Sequence, residues 1–198
     1  MRFTPMTLTR VPEPFDDPGF VFELKYDGFR ALAFLEEKAV RLVSRHGNVY
    51  RQFADLCRDL AAELRCSKGA VLDGEIVCLD DDGTPVFEDL FRRRGQPVFV
   101  AFDLLELDGR DLRDLPLIDR KRRLRRVVPR DSTSALYLDH VEGAGIALYQ
   151  WACERDLEGI VGKPKRAPYR EASAGWVKIK SPTYSQAVGR FDQLRRRR

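Results

Sequence analysis

Hydrophobic and polar residues alternate along most of this chain, and the period of the alternation assigns its elements. Period two, which sends successive side chains to opposite faces, predicts strands near 20–26, 30–35, 39–44, 70–79, 98–107, 136–141, 159–163 and 176–180. In the first strand Phe20, Phe22, Leu24 and Tyr26 share a face expected to meet the core, and Val21, Glu23 and Lys25 share the other. Glu36-Glu37-Lys38 reads as the turn between two hairpin strands. Over 51–65 the period becomes helical: Phe53, Leu56, Cys57, Leu60, Ala61 and Leu64 form one stripe. Shorter helices are expected near 118–127 and 144–155. Asp80-Asp81-Asp82-Gly83 reads as a turn and lacks the further ligands of a calcium loop. The pattern predicts one strand-rich α+β domain over residues 1–198.

The same periodicity gathers ionisable residues in pairs. Glu23 and Lys25 share a face, as do Asp73 and Glu75, and as do Lys178 and Lys180. One such pair on an exposed strand face means little. Three pairs facing one cleft would make a site with both signs of charge, suited to a nucleoside triphosphate and its metal. Lys25 is followed at once by Asp27-Gly28 and Arg30. It is either a surface lysine at a strand end or an amine made reactive by its surroundings.

Composition narrows the class. With 198 residues, 43% hydrophobic and 33% charged, the chain can build one sizeable core and is not of disordered type. No apolar run has membrane-spanning length and Met1 to Pro5 does not open a signal peptide, so a cytoplasmic protein is expected. Cys57, Cys66, Cys78 and Cys153 lack metal-site spacing and are expected to be reduced, structural thiols. Net charge is only +4, but the positive charge is clumped at Arg92-Arg93-Arg94, at Arg120-Lys121-Arg122-Arg123 with Arg125-Arg126, and at the last four residues. Such runs suit phosphate backbones, and equally a solvated helix face; residues 191–198 are expected to form a flexible basic tail.

Lys25-Tyr26-Asp27-Gly28-Phe29-Arg30 fits the Lys-x-Asp-Gly-x-Arg signature of the covalent nucleotidyltransferases, which include ATP-dependent DNA ligases, RNA ligases and mRNA-capping guanylyltransferases. Ser44-Arg45-His46-Gly47, Leu72-Asp73-Gly74-Glu75, Val100-Ala101-Phe102-Asp103, Leu157-Glu158-Gly159-Ile160-Val161 and Trp176-Val177-Lys178-Ile179-Lys180 resemble the family's later motifs, in the right order. The chain most resembles the adenylation domain of bacterial ATP-dependent DNA ligases of the end-joining kind.

The resemblance implies a fold of two mainly antiparallel sheets flanked by helices, with the nucleotide in the cleft between them. It implies ATP and Mg2+ as cofactors and Lys25 as the nucleophile that takes AMP. Lys178 and Lys180 would hold the α-phosphate and lower the pKa of Lys25. Glu158 would hold the metal; Glu75 would meet the ribose and lie near the metal. Phe102 would stack on adenine. Glu23 would accept from the exocyclic amine and repel the carbonyl of guanine, favouring ATP over GTP. Arg30 and Arg45 would meet ribose and phosphates, with Arg45 later meeting a nucleic-acid 5′-phosphate. Arg92, Arg93, Arg122 and Arg123 are the basic residues expected to meet nucleic acid. The implied partners are nicked or broken DNA and a protein of the end-joining machinery or one supplying a β-barrel domain; a monomer, nucleoid-associated when DNA-bound, is expected. A ligase-derived binding module and an RNA ligase are the alternatives.

Two departures stand out. Only 18 residues follow Lys180, too few for the oligonucleotide-binding barrel that continues such ligases, so an excised domain or a stand-alone nucleotidyltransferase is expected. Where relatives carry arginines before the last motif, this chain has Glu171-Ala172-Ser173-Ala174-Gly175, with Arg170 nearest, and phosphate handling there is expected to be weaker or rearranged.

Overall fold

A computed structural model describes residues 3–37, 39–170 and 175–187. Its elements are β1 (Thr9–Arg10), β2 (Asp17–Leu24), β3 (Phe29–Glu36), β4 (Ala39–Ser44), α1 (Ala54–Glu63), β5 (Gly69–Cys78), α2 (Phe87–Arg92), β6 (Pro97–Leu107), β7 (Arg110–Asp111), α3 (Leu117–Val127), β8 (Ala135–Tyr137), β9 (Val141–Gly143), α4 (Gly145–Glu154), β10 (Gly159–Pro164) and β11 (Val177–Lys180). Single 3-10 turns lie at Arg51–Phe53 and Ser185–Ala187.

Two sheets result. The smaller has the order β1-β11-β10-β2-β9, and the larger β4-β3-β5-β6-β7 with β8 added beside β6. All pairings are antiparallel except β1 with β11 and β6 with β8. The expected α+β architecture of two mainly antiparallel sheets is therefore what the chain builds. Three apolar clusters hold it together. One lies under α1 and includes Leu42, Leu60, Leu72 and Phe99; one joins the two sheets through Val21, Leu32, Val71, Phe102 and Trp176; one lies under α4 and includes Phe22, Ala152, Ile160 and Ile179. No helix among the described residues is long and apolar enough to cross a membrane.

Several expectations need correction. Over Val21 to Glu23, strand β2 has no solvent face: Phe22 packs toward α4, while Val21 and Glu23, equally buried, face the other sheet. The strand ends at Leu24, and Tyr26 joins the cluster between the sheets, breaking the alternation that placed it with Phe20 and Phe22. The strand expected at 136–141 is two short strands in different sheets, β8 and β9. Helix α2 was not expected, since six residues give too little periodicity to read. The Asp80–Gly83 turn forms as expected: Gly83 N–H donates to Asp80 O at 3.0 Å with φ +78° at Gly83. The hairpin turn at Lys38, the departure at 171–174 and the tail at 191–198 fall outside the described residues.

Candidate active site

The pleat of β3 and β5 builds one wall. Arg30 pairs with Glu75 and Leu32 with Asp73, so Arg30, Asp73 and Glu75 project from the same face of the larger sheet. Arg30 donates twice to the buried Asp73 carboxylate, at 2.7 and 2.6 Å, and the Tyr169 hydroxyl donates to Asp73 at 2.6 Å. This bidentate pair fixes the guanidinium 4.4 Å from the Phe102 ring centroid. Gly28 brings the turn after Lys25 onto β5. A Cβ there would sit 2.2 Å from Ile76 O, so only glycine permits the approach.

The opposite wall holds the amines. Lys25 follows β2, and its N–H donates to Gly159 O at 2.9 Å. Glu158, only 4% exposed, accepts from Lys25 Nζ and from Lys180 Nζ, both at 2.6 Å. Burial opposes the Glu158 charge, but the two ammonium groups outweigh it and hold the carboxyl below its usual pKa. Lys178 shares the face of Lys180; its pKa is lowered by burial and by Lys180 and Lys25. Gly159 sets this geometry with φ +131°, and a Cβ there would lie 2.0 Å from Ile179 O. Across the cleft Glu75 is pushed up to about 7 by burial and by the carboxylates of Glu158 and Asp27, against the pull of Arg30 and Lys25. It faces the amines as an acid that is half protonated near neutrality.

The inner end of the cleft is built on Glu23. Its carboxylate, 1% exposed, is ion-paired with Lys163 at 2.5 Å and accepts a hydrogen bond from Lys121. The Lys163 amine is 2% exposed and lies 4.3 and 4.0 Å from the ring centroids of Phe102 and Trp176. It makes no well-directed hydrogen bond, and burial lowers its pKa to about 8. Trp176 Nε1 is likewise buried without a hydrogen-bond partner.

Of the residues expected at the site, Glu23, Lys25, Arg30, Glu75 and Phe102 line one cleft, and Glu158 and Lys180 join it through Lys25, with Lys178 beside them. Arg45 does not line it. Arg45 is exposed in the turn after β4, where its Nε donates to His46 at 3.0 Å. Arg92 and Arg93 close α2, the first paired with Glu88 at 2.9 Å and the second in a left-handed cap; both are exposed. Arg122 pairs with Asp119 at 3.0 Å, and Arg123 donates to Asp119 O at 3.2 Å.

Two site residues escaped the sequence reading, and both left a signal. Lys163 stands two residues after Val161 in β10, on the face that looks at Glu23. Lys121 and its neighbour Arg120 sit in the stripe Leu117, Arg120, Lys121, Leu124, Val127, whose spacing buries them. The basic run at 120–126 is thus half core: Arg120, wholly buried, donates twice to Asp103 at 2.8 Å.

Residues 5–180 match the ATP dependent DNA ligase domain family. The chain belongs to that family. It is 31% identical over 197 residues to the SPbeta prophage-derived DNA ligase-like protein LigB of Bacillus subtilis, covering 95% of this chain and 71% of that protein. It is 33% identical over 168 residues to the multifunctional non-homologous end joining protein LigD of Pseudomonas aeruginosa, covering 81% of this chain but 20% of LigD. Among solved structures, mycobacterial DNA ligase D complexed with ATP and MES superposes with a TM-score of 0.76 at 32% identity, over 90% of this chain and 60% of that one. The ligase family thus stands on sequence and on fold, while the chain spans about a fifth of LigD.

Proposed function

We propose that this domain transfers AMP from ATP to Lys25 and then to the 5′-phosphate of a DNA strand break, the opening steps of strand joining. The observation that carries this reading is the convergence of Lys25 and Lys180 on Glu158, with Lys178 beside them, at the mouth of a cleft whose inner end holds Glu23 and Phe102. The deprotonated Lys25 amine attacks the α-phosphorus, a P–N bond forms, the bond to the bridging oxygen breaks, and pyrophosphate leaves. Lys178 and Lys180 offset the negative charge that develops on the α-phosphate oxygens. Lys25 and Lys180 must leave Glu158 to do so, and the phosphates of ATP compete for them.

The carboxylates fit a magnesium ion that arrives with the triphosphate. Magnesium uses one or two carboxylates together with phosphate oxygens and water, and Glu158 and Glu75 face each other closely enough to raise the Glu75 pKa. Among the described residues no cluster of three or more His, Cys, Asp or Glu is placed to hold a metal. When bound, the ion would neutralise phosphate charge and help deprotonate the nearby amine.

Glu23 accepts from the 6-amino group of adenine, and Phe102 offers its ring to the base. Adenylated DNA would be sealed when a 3′-hydroxyl displaces AMP, with the exposed Arg45 meeting the 5′-phosphate. Nicked duplex with a labelled 5′-phosphate, incubated with protein, ATP and Mg2+, tests the reading. Adenylated or sealed strands support it. Loss of neither product in Lys25→Ala would overturn it.

A further inference from the structure

We infer that Lys121, a residue outside the cleft and outside every ligase-like motif, is the positioning residue for base selection, holding the Glu23 carboxylate ionised and aimed at the 6-amino group of the purine. This rests on the adenylation reading. Glu23 and Lys163 line the cleft and Lys121 does not. Its ammonium approaches Glu23 from behind, 1% exposed, donating to one carboxylate oxygen and to Leu138 O at 2.9 Å, with the Tyr137 ring centroid at 4.8 Å. The helix that carries it cannot easily shift. The preceding residue, Arg120, is locked by Asp103 and donates to Leu115 O at 2.5 Å and Ala167 O at 3.1 Å.

Two lysines touch Glu23, and they serve it differently. Lys163 faces the base-binding space, lies against two aromatic rings, and is ion-paired with Glu23 at 2.5 Å. Lys121 lies outside that space, held between Glu23 and Leu138 O. A buried carboxylate needs a directed partner to stay charged and in one rotamer. With Lys121 replaced by an uncharged side chain, Glu23 would turn to Lys163, and the hydrogen bond that distinguishes a 6-amino purine would weaken.

The test compares ATP with the triphosphate of unsubstituted purine riboside, which lacks the 6-amino group. Rates of lysine–AMP-type adduct formation are measured by intact mass for wild type, Lys121→Met, Glu23→Gln and the double variant. Lys121→Gln, which keeps a donor for Leu138 O, is included in case the methionine variant does not fold, and thermal melting checks both. Losing one charged hydrogen bond should reduce the ATP preference about tenfold in Lys121→Met while the analogue's own rate holds. Adding Lys121→Met to Glu23→Gln should change the preference no further. An unchanged preference, or equal slowing with both nucleotides, overturns the inference and leaves the adenylation reading intact. If wild type forms no adduct with either nucleotide, the adenylation reading fails, and equilibrium binding of the same two nucleotides decides the inference by the same ratio.

Discussion

Replacing Glu75 by glutamine should make the protein more stable at alkaline pH while impairing adenylation. Glu75 is half-buried at the cleft, and burial together with Glu158 and Asp27 raises its pKa from the usual 4.5 to about 7. The sign follows from which state holds the proton. Below pH 4.5 the group is protonated in folded and unfolded chains alike, and contributes no difference. Between 4.5 and about 7 the unfolded chain ionises first, so the folded state is increasingly disfavoured as pH rises. Above 7 the penalty is complete. At about 1.4 kcal/mol per pKa unit, it reaches about 3 kcal/mol at most, the cleft mouth leaving some solvation. Glutamine removes the charge and keeps the shape. Urea unfolding of wild type and Glu75→Gln at pH 4.5 and pH 8 should show the variant's advantage opening from near zero to that figure, with adenylation reduced in the same variant. An advantage independent of pH, or a variant less stable at pH 8, would refute the assignment of Glu75 as a carboxylate held against its own solvation for the sake of the site.

Gly159→Ala should cost about 3 kcal/mol or more in denaturant unfolding and abolish lysine labelling, because a Cβ 2.0 Å from Ile179 O must part β10 from β11 and displace Glu158 from Lys180; normal labelling in a folded variant would contradict this. Arg30→Ala should destabilise by about 3–5 kcal/mol, since it leaves the buried Asp73 carboxylate with Tyr169 but without its cation; a change below about 1 kcal/mol, the range of an exposed pair, would show that Asp73 is satisfied without it. Arg45→Ala should leave self-labelling unchanged and slow AMP transfer to nicked DNA, as Arg45 stands exposed outside the nucleotide cleft; equal loss in both steps would place it in the cleft after all.

Much of this was legible in the sequence, and what was not had physical causes. Helices α1, α3 and α4 emerged from periodicity because each commits one stripe to the interior, and β3 to β6 emerged as strand-length apolar runs although β3, β5 and β6 bury both faces. In β2 the alternation set Glu23 opposite the core-facing residues and could not show that face to be buried too, because a strand between two packed layers buries both; Glu23 is the buried acid at the end of the cleft. The six short motifs led to Lys25, Glu75, Phe102, Glu158, Lys178 and Lys180, but periodicity alone could not have joined them, since they come from both sheets and meet only across the cleft. Lys121 was hidden by its neighbours. In a run of six basic residues out of seven, charge density suggested a surface, whereas helical spacing placed Arg120 and Lys121 with Leu117 and Leu124 in the interior.

The most direct measurement is the intact mass of the purified protein before and after incubation with ATP and Mg2+, with GTP and Lys25→Ala as controls. The account predicts the gain of one AMP with ATP, its loss on adding pyrophosphate, little or no adduct with GTP, and none in Lys25→Ala. An adduct that persists in Lys25→Ala, or no adduct from the folded wild-type protein under any of these conditions, would contradict it.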